Sequence, residues 1–169
     1  DYGVIFDNMI LENGCTVQWD AYTHPRIEVE LAFVLGKPLS GPNCSIFDVL
    51  DATEYVVPAL EILDSRIEME GRTIVDTIAD NAAMGAMVVG GRPVKVDDVD
   101  LRWISALLYK NQTIEETGVA AGVLNHPAAG VYWLANKIAA HGAGLGAGEI
   151  ILAGSFTRPM WVHKGDTVH

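Results

Sequence analysis

Two glutamates, Glu28 and Glu30, interrupt the apolar stretch PRIEVELAFVLG at residues 25–36. Because apolar residues recur at every second position, the stretch predicts a β-strand in which both carboxylates share one face. Residues i and i+2 of a strand lie about 6.5–7 Å apart with parallel side chains, close enough for two carboxylates to bind one hard cation. Without a cation, neighbouring carboxylates on a half-buried face repel each other and are driven toward protonation. The pair therefore predicts a metal site, with a solvent-exposed acidic face as the alternative.

A third carboxylate, Glu61, lies in a second predicted strand, ALEILDSRI at residues 59–67. Its apolar neighbours Leu60 and Ile62 point to the opposite face of that strand. Three oxygen ligands from two strands, with no cysteine or histidine at a matching spacing, favour Mg²⁺ or Mn²⁺ over zinc. We therefore predict Glu28, Glu30 and Glu61 as the metal ligands.

The segments around these strands predict one α+β domain. A capping-box spacing of Ser45 and Asp48 begins a helix that Pro58 is expected to end by residue 57. The later segments predict a helical turn and a strand that stops at Gly90, a hairpin that turns near Asn111, a helix over residues 125–142, and two strands in the tail. Strands with two inserted helices are typical of a mixed or antiparallel sheet.

Composition narrows the classes of function. Among 169 residues, 22 are acidic and 11 are Lys or Arg, which gives a formal charge of −11 and disfavours nucleic acid and anionic membrane surfaces as partners. Half of the residues are hydrophobic, which is enough for a core. The two cysteines, Cys15 and Cys44, have no metal-binding or disulfide spacing, and no signal peptide or membrane span is evident, so we expect a reduced, cytoplasmic protein.

Other motifs point to weaker hypotheses. The glycine-rich segment 142–148 contains a G-x-G-x-x-A pattern, but it follows a predicted helix and precedes a strand, the reverse of a dinucleotide-binding fingerprint. Ser155 is not in a G-x-S-x-G elbow, which disfavours a serine hydrolase. Arg66 and Arg158 follow the predicted site strands, and each is expected either to bind a carboxylate or to form a surface ion pair.

Seven longer stretches, spread over nearly the whole chain, carry a resemblance to a known family. They are PRIEVELAFVLGKPLSGPNC, FDVLDATEYVVPALEILDSRI, DTIADNAA, GGRPVK, DLRWISALLYKN, IEETGVAAGVLNHPAAGVYWLANKIA, and GSFTRP with KGDT. In these stretches the chain resembles the hydratase and decarboxylase branch of the fumarylacetoacetate hydrolase superfamily, and most of all its hydratases of 2-oxohept-4-ene-1,7-dioate.

The resemblance implies a mixed β-sheet roll with flanking helices, an oligomeric assembly and a Mg²⁺ or Mn²⁺ cofactor held by the same three glutamates. It also implies that family members extend further at both ends, with a site lysine in the preceding segment and a final strand after residue 169. Residues 1–169 are then expected to form a single catalytic domain that lacks those two parts.

The implied reaction is the metal-dependent addition of water to 2-oxohept-4-ene-1,7-dioate, which yields 4-hydroxy-2-oxoheptanedioate in homoprotocatechuate meta-cleavage. By the resemblance, Asp1 lines the active site, and Asp1 and Asp80 are the catalytic candidates. Arg66, Asn81, Ser155 and Arg158 are the substrate-binding candidates, with Arg158 assigned to the C7 carboxylate. The alternatives are a 2-oxopent-4-enoate-type hydratase, a 4-oxalocrotonate-type decarboxylase and a non-catalytic partner subunit.

Overall fold

The computed structural model describes residues 1–169, which form eight strands and three α-helices joined by loops and short 3₁₀ turns. The strands are β1 (Ile10–Leu11), β2 (Pro25–Leu35), β3 (Thr53–Asp64), β4 (Met84–Val89), β5 (Ser105–Lys110), β6 (Thr113–Val119), β7 (Ile150–Ser155) and β8 (Met160–Trp161). The helices are α1 (Ile46–Ala52), α2 (Ile74–Ala79) and α3 (Ala128–Ala139).

The main sheet has six strands in the order β1-β4-β3-β2-β7, and β8 pairs with the first residues of β2. Only β1 and β4 are parallel, and the other pairs are antiparallel. Strands β5 and β6 form a separate hairpin. The mixed sheet with few helices confirms the predicted α+β class.

One face of β2 forms the centre of the hydrophobic core. Leu31, Phe33 and Leu35 pack in a cluster of 15 buried residues that includes residues of α1, α3 and β7. Ile27 and Val29, nearer the start of the strand, pack in a second cluster with Leu108 of the hairpin. Burial of this whole stripe fixes the register of β2 and directs the alternate residues, including both glutamates, to the other face.

The first helix is shorter than predicted. It begins at the predicted capping box, where the Ser45 N–H donates to the Asp48 carboxylate at 2.8 Å, but it ends at Ala52. The prediction that Pro58 ends this helix is wrong, because Pro58 lies inside β3, opposite Leu31 of β2. The Pro58 carbonyl accepts from the Gly90 N–H, on the side of the strand where β4 has ended. Proline's missing N–H would point to that same side, so no bond to β2 is lost.

The later elements follow the sequence more closely. The hairpin turns at Asn111 and Gln112, both with positive φ, and α3 and the two strands of the tail lie in the predicted segments. Helix α2 is an addition that the sequence analysis missed, although Thr73 and Asp76 form a second capping box there. Both cysteines are free thiols, as expected. None of the helices is long and apolar enough to span a membrane.

Helix α3 approaches β7 closely at Gly130. A Cβ added at Gly130 would lie 2.2 Å from the Ala153 carbonyl oxygen, which is backbone and cannot rotate away. Gly130→Ala should therefore destabilise the protein by about 1 kcal/mol, because an overpacking cost of about 1–3 kcal/mol is offset only in part by the roughly 1 kcal/mol gain in helix propensity. Chemical denaturation measures the change in the free energy of unfolding.

Gly122→Ala is the matched control for this prediction, because a Cβ there would meet its nearest atom at 3.7 Å, an ordinary contact. We expect it to change the free energy of unfolding far less. Equal stability of the two variants would mean that α3 and β7 do not need this close approach.

Candidate metal centre

The structure brings the three predicted carboxylates together. Glu28 lies directly opposite Glu61 in the register of β2 and β3, and Glu30 lies diagonally from Glu61 on the same face. One carboxylate oxygen from each residue lies within 4.8 Å of the others. This distance is close to twice a metal–oxygen bond length, about 4–5 Å for Mg²⁺ or Ca²⁺, so a single ion can contact all three.

The cluster is largely shielded from water. Glu30 is only 4% exposed, and Glu28 and Glu61 are partly buried. Burial, together with the negative charge of Glu61, raises the pKa of Glu28 to about 7. Burial and then Glu61 raise the pKa of Glu30 well above its usual range, and burial also raises that of Glu61. The metal-free cluster therefore retains protons that a bound cation would displace.

A divalent cation fits this set of donors. None of the three glutamates forms an ion pair with a lysine or arginine, so their charges have no direct partner within the chain. Carboxylate oxygens in such number suit Mg²⁺, Mn²⁺ or Ca²⁺, whereas zinc sites usually include cysteine or histidine. Glu28, Glu30 and Glu61 would hold the ion.

A β-bulge fixes the position of Glu30. The register between β2 and β7 shifts between Glu30 and Ala32, and Gly154 lies in the irregular part with a φ of +114°. Its N–H donates to Glu30 Oε2 at 2.7 Å. The bulge thus directs a backbone donor to a site carboxylate, which is a common use of bulges. The sequence analysis missed Gly154, although a glycine inside a strand pattern is a signal for a bulge.

Three predicted site residues, Arg66, Asp80 and Asn81, lie around the loop after α2. Arg66 Nε donates to Asp80 Oδ1 at 2.6 Å, its Nη2 donates to the Asp80 carbonyl oxygen, and its Nη1 donates to the Met84 carbonyl oxygen. The Asn81 side chain accepts from the Val4 N–H at 2.7 Å and donates to the Val4 carbonyl at 2.8 Å. These bonds tie the exposed N-terminal segment, which starts at Asp1, to this loop. The catalytic role of Asp80 stays a prediction, and the bonds of Arg66 favour a positioning role.

The remaining two candidates are Ser155, the last residue of β7, and Arg158, in the link between β7 and β8. The Ser155 hydroxyl donates to the Thr157 carbonyl at 2.9 Å and contacts the Val29 carbonyl at 3.3 Å, so it holds this link against β2. Arg158 pairs with Glu116, with Nε and Oε1 3.3 Å apart, and its side chain is 85% exposed. The substrate-binding roles of both residues stay predictions.

The chain matches one known protein family over nearly its whole length. Residues 5–169 match the family described as fumarylacetoacetate (FAA) hydrolase C-terminal. The chain belongs to the fumarylacetoacetate hydrolase family. Among curated members, the 2-oxo-hept-4-ene-1,7-dioate hydratase of Escherichia coli is 58% identical over the whole chain. The 4-oxalocrotonate decarboxylase of Pseudomonas sp. (strain CF600) is 38% identical over 99% of the chain.

A solved member of the fumarylacetoacetate hydrolase family has nearly the same fold. The 4-oxalocrotonate decarboxylase from Pseudomonas putida G7, complexed with magnesium and adipate, superposes with a TM-score of 0.95. It is 36% identical, and the match covers 98% of this chain and 63% of that one. The chain likewise spans 66% of the E. coli hydratase and 63% of the CF600 decarboxylase.

Proposed function

We propose that the protein is a Mg²⁺-dependent hydratase that adds water to 2-oxohept-4-ene-1,7-dioate to give 4-hydroxy-2-oxoheptanedioate. The observation that carries the proposal is the cluster of Glu28, Glu30 and Glu61 in a chain 58% identical to a hydratase named for that substrate. Mn²⁺ has the same preference for oxygen ligands and would serve as a substitute.

The residues of the site have distinct tasks in this scheme. Glu28, Glu30 and Glu61 hold the cation, and the Gly154 N–H keeps the Glu30 carboxylate oriented. When bound, the cation supplies Lewis-acid polarisation of the substrate's 2-oxo group. The largely buried surroundings of Glu30 exclude bulk water, which strengthens every charge interaction at the site.

Proton transfer requires a positioned acid and base. We assign Asp1 and Asp80 as the candidates, since the hydrogen bonds between Asn81 and Val4 hold the segment of Asp1 beside the loop of Asp80. Arg66 donates two hydrogen bonds to the Asp80 carboxylate, from its Nε and its backbone N–H, and these fix the position of that carboxylate. A carboxylate held in a fixed position can accept a proton from substrate or water, so we assign Asp80 as the candidate base.

Turnover by the full-length protein tests the proposal. The absorbance of 2-hydroxyhepta-2,4-diene-1,7-dioate is followed with Mg²⁺ and with EDTA, and the product is identified by mass. We expect a water adduct that forms only when the metal is present. Absence of turnover, or a product other than the water adduct, would overturn the proposed reaction.

A decarboxylase is the second candidate function, favoured by the TM-score of 0.95 to a decarboxylase that holds magnesium. A decarboxylase releases CO₂ and a hydratase does not, so the same assay with CO₂ detection separates them. A 2-oxopent-4-enoate-type hydratase would prefer the monoacid substrate. A non-catalytic partner subunit would show no turnover with any of these acids.

We also propose that the protein assembles as a homo-oligomer. Several large apolar side chains are exposed to solvent in the isolated chain, among them Phe47 at 78%, Leu124 at 68% and Trp103 at 64%. Contact between copies of the chain would bury such side chains. Light scattering coupled to size-exclusion chromatography should give a mass of several chains, and the mass of one chain would contradict the proposal.

A further inference from the structure

The Arg26 side chain lies in the same row as the metal-site carboxylates and forms no hydrogen bond or ion pair within the protein. It precedes Glu28 by two residues on β2, so both point from the same face. Its Nε is buried without a hydrogen-bond partner, and the guanidinium forms no ion pair. The ring of Trp161, opposite Arg26 in the register, packs against the guanidinium with Cζ 5.3 Å from the ring centroid. The arginine is therefore held in place while its hydrogen-bonding capacity remains unmet.

A second arginine, Arg72, lies nearby. Its Nη1 donates to the buried Ser65 hydroxyl at 2.8 Å, and it too has no acidic partner. Ser65 follows Asp64, which lies opposite Pro25 in the register of β2 and β3, so this bond holds Arg72 beside the first residues of β2. Neither arginine has an ion pair, although the chain carries 22 acidic residues and only 11 Lys and Arg. The two side chains are therefore available to an anion from outside the chain.

We propose that Arg26, supported by Arg72, binds the distal carboxylate of a dicarboxylic acid substrate whose 2-oxo acid end lies at Glu28, Glu30 and Glu61. This inference rests on the proposed function and names the residue that makes the site selective for diacids. A half-buried guanidinium can bind a carboxylate through two parallel hydrogen bonds in a partly dry environment.

Arg158, the sequence-based candidate for the same carboxylate, lies in a different setting. It is 85% exposed and is already paired with Glu116. An exposed ion pair contributes little to binding because water and salt screen it. A monoacid would leave Arg26 without a partner, and a polar site left unsatisfied by a ligand discriminates strongly against that ligand.

Selectivity between a diacid and a monoacid tests the proposal. In the full-length protein, kcat/KM is measured for 2-hydroxyhepta-2,4-diene-1,7-dioate and for the monoacid 2-hydroxypenta-2,4-dienoate. Arg26→Gln should lower the diacid value by about 100-fold, the size expected for a charged hydrogen-bonded pair, and change the monoacid value only slightly. Arg158→Gln tests the rival assignment, and it should leave the ratio of the two values unchanged because Arg158 is exposed and already paired with Glu116.

Two outcomes would overturn the assignment. If Arg26→Gln weakens both reactions equally and also weakens Mn²⁺ binding measured by calorimetry, Arg26 only balances the charge of the glutamate cluster. If Arg158→Gln alone removes the preference for the diacid, the distal carboxylate belongs to Arg158. If Arg26→Gln fails to fold, Arg26→Lys is measured instead. Lysine keeps the positive charge but cannot donate two parallel hydrogen bonds to one carboxylate, so the preference for the diacid should still fall about tenfold.

A binding measurement separates this inference from the proposed reaction. Wild-type protein loaded with Mg²⁺ is titrated with adipate and with hexanoate, which differ only in the second carboxylate. A preference for adipate that Arg26→Gln removes supports the Arg26 site even if the wild-type protein proves not to be a hydratase. Equal affinity for the two acids would refute the Arg26 site whatever the reaction.

Discussion

Glu30→Gln should lower the metal-dependent kcat/KM of the full-length protein by about a thousandfold, because the loss of one of three ligands removes several kcal/mol of metal-derived stabilisation. The metal-free variant should stay as stable as the wild type. Burial and Glu61 raise the pKa of Glu30 and so favour its neutral form in the absence of metal, and glutamine has the shape of a neutral glutamic acid. Steady-state kinetics with Mg²⁺ and thermal unfolding in EDTA measure the two effects.

Glu54→Gln is the matched control for this prediction. Glu54 lies on β3, as Glu61 does, but its side chain is exposed and far from the cluster in the strand register. The same chemical change there should leave both turnover and stability unaltered. Residual activity above a tenth of wild type in Glu30→Gln would mean that the carboxylate cluster is not the reaction centre.

The cluster of three carboxylates was predictable from the sequence because a strand imposes a simple geometry. Alternation of apolar residues in β2 fixes which face is buried, and the two glutamates must then share the other face. The prediction needed only one long-range fact, that β2 and β3 are neighbours in register. That pairing places Glu28 opposite Glu61, as the structure confirms.

Features that depend on the partner strand or on tertiary contacts were not predictable in the same way. The end of α1 was predicted from Pro58, but Pro58 lies in β3. A proline is tolerated there because β4 has already ended on that side. The local sequence does not show where a neighbouring strand ends. The hydrogen bond from Gly154 to Glu30 depends on a bulge, and the missing partner of Arg26 is visible only once its surroundings are assembled. Local patterns predicted the three carboxylates, and the fold determines the groups that support them.

Mg²⁺ should stabilise the protein increasingly as the pH rises from about 5 to 7.5. In the folded, metal-free protein, burial and Glu61 raise the pKa of Glu28 from 4.5 to about 7. A carboxyl group whose pKa is higher in the folded state stabilises that state while it is protonated, and this contribution is lost as the pH rises from the unfolded to the folded value. In EDTA, deprotonation of Glu28 between pH 4.5 and 7 should lower the free energy of unfolding by on the order of 3 kcal/mol.

A bound cation opposes this loss of stability at higher pH. Its carboxylate ligands must be deprotonated to bind it, and the positive charge of the cation then neutralises their negative charges. Thermal unfolding of the full-length protein at several pH values, with EDTA or with Mg²⁺, measures the difference in melting temperature. Glu28→Gln removes the titrating group, so its metal-free stability should fall less between pH 5 and 7.5, and its response to Mg²⁺ should be small. Identical pH dependence of the wild type and Glu28→Gln in EDTA would show that Glu28 carries its ordinary pKa and that the carboxylate cluster is open to water.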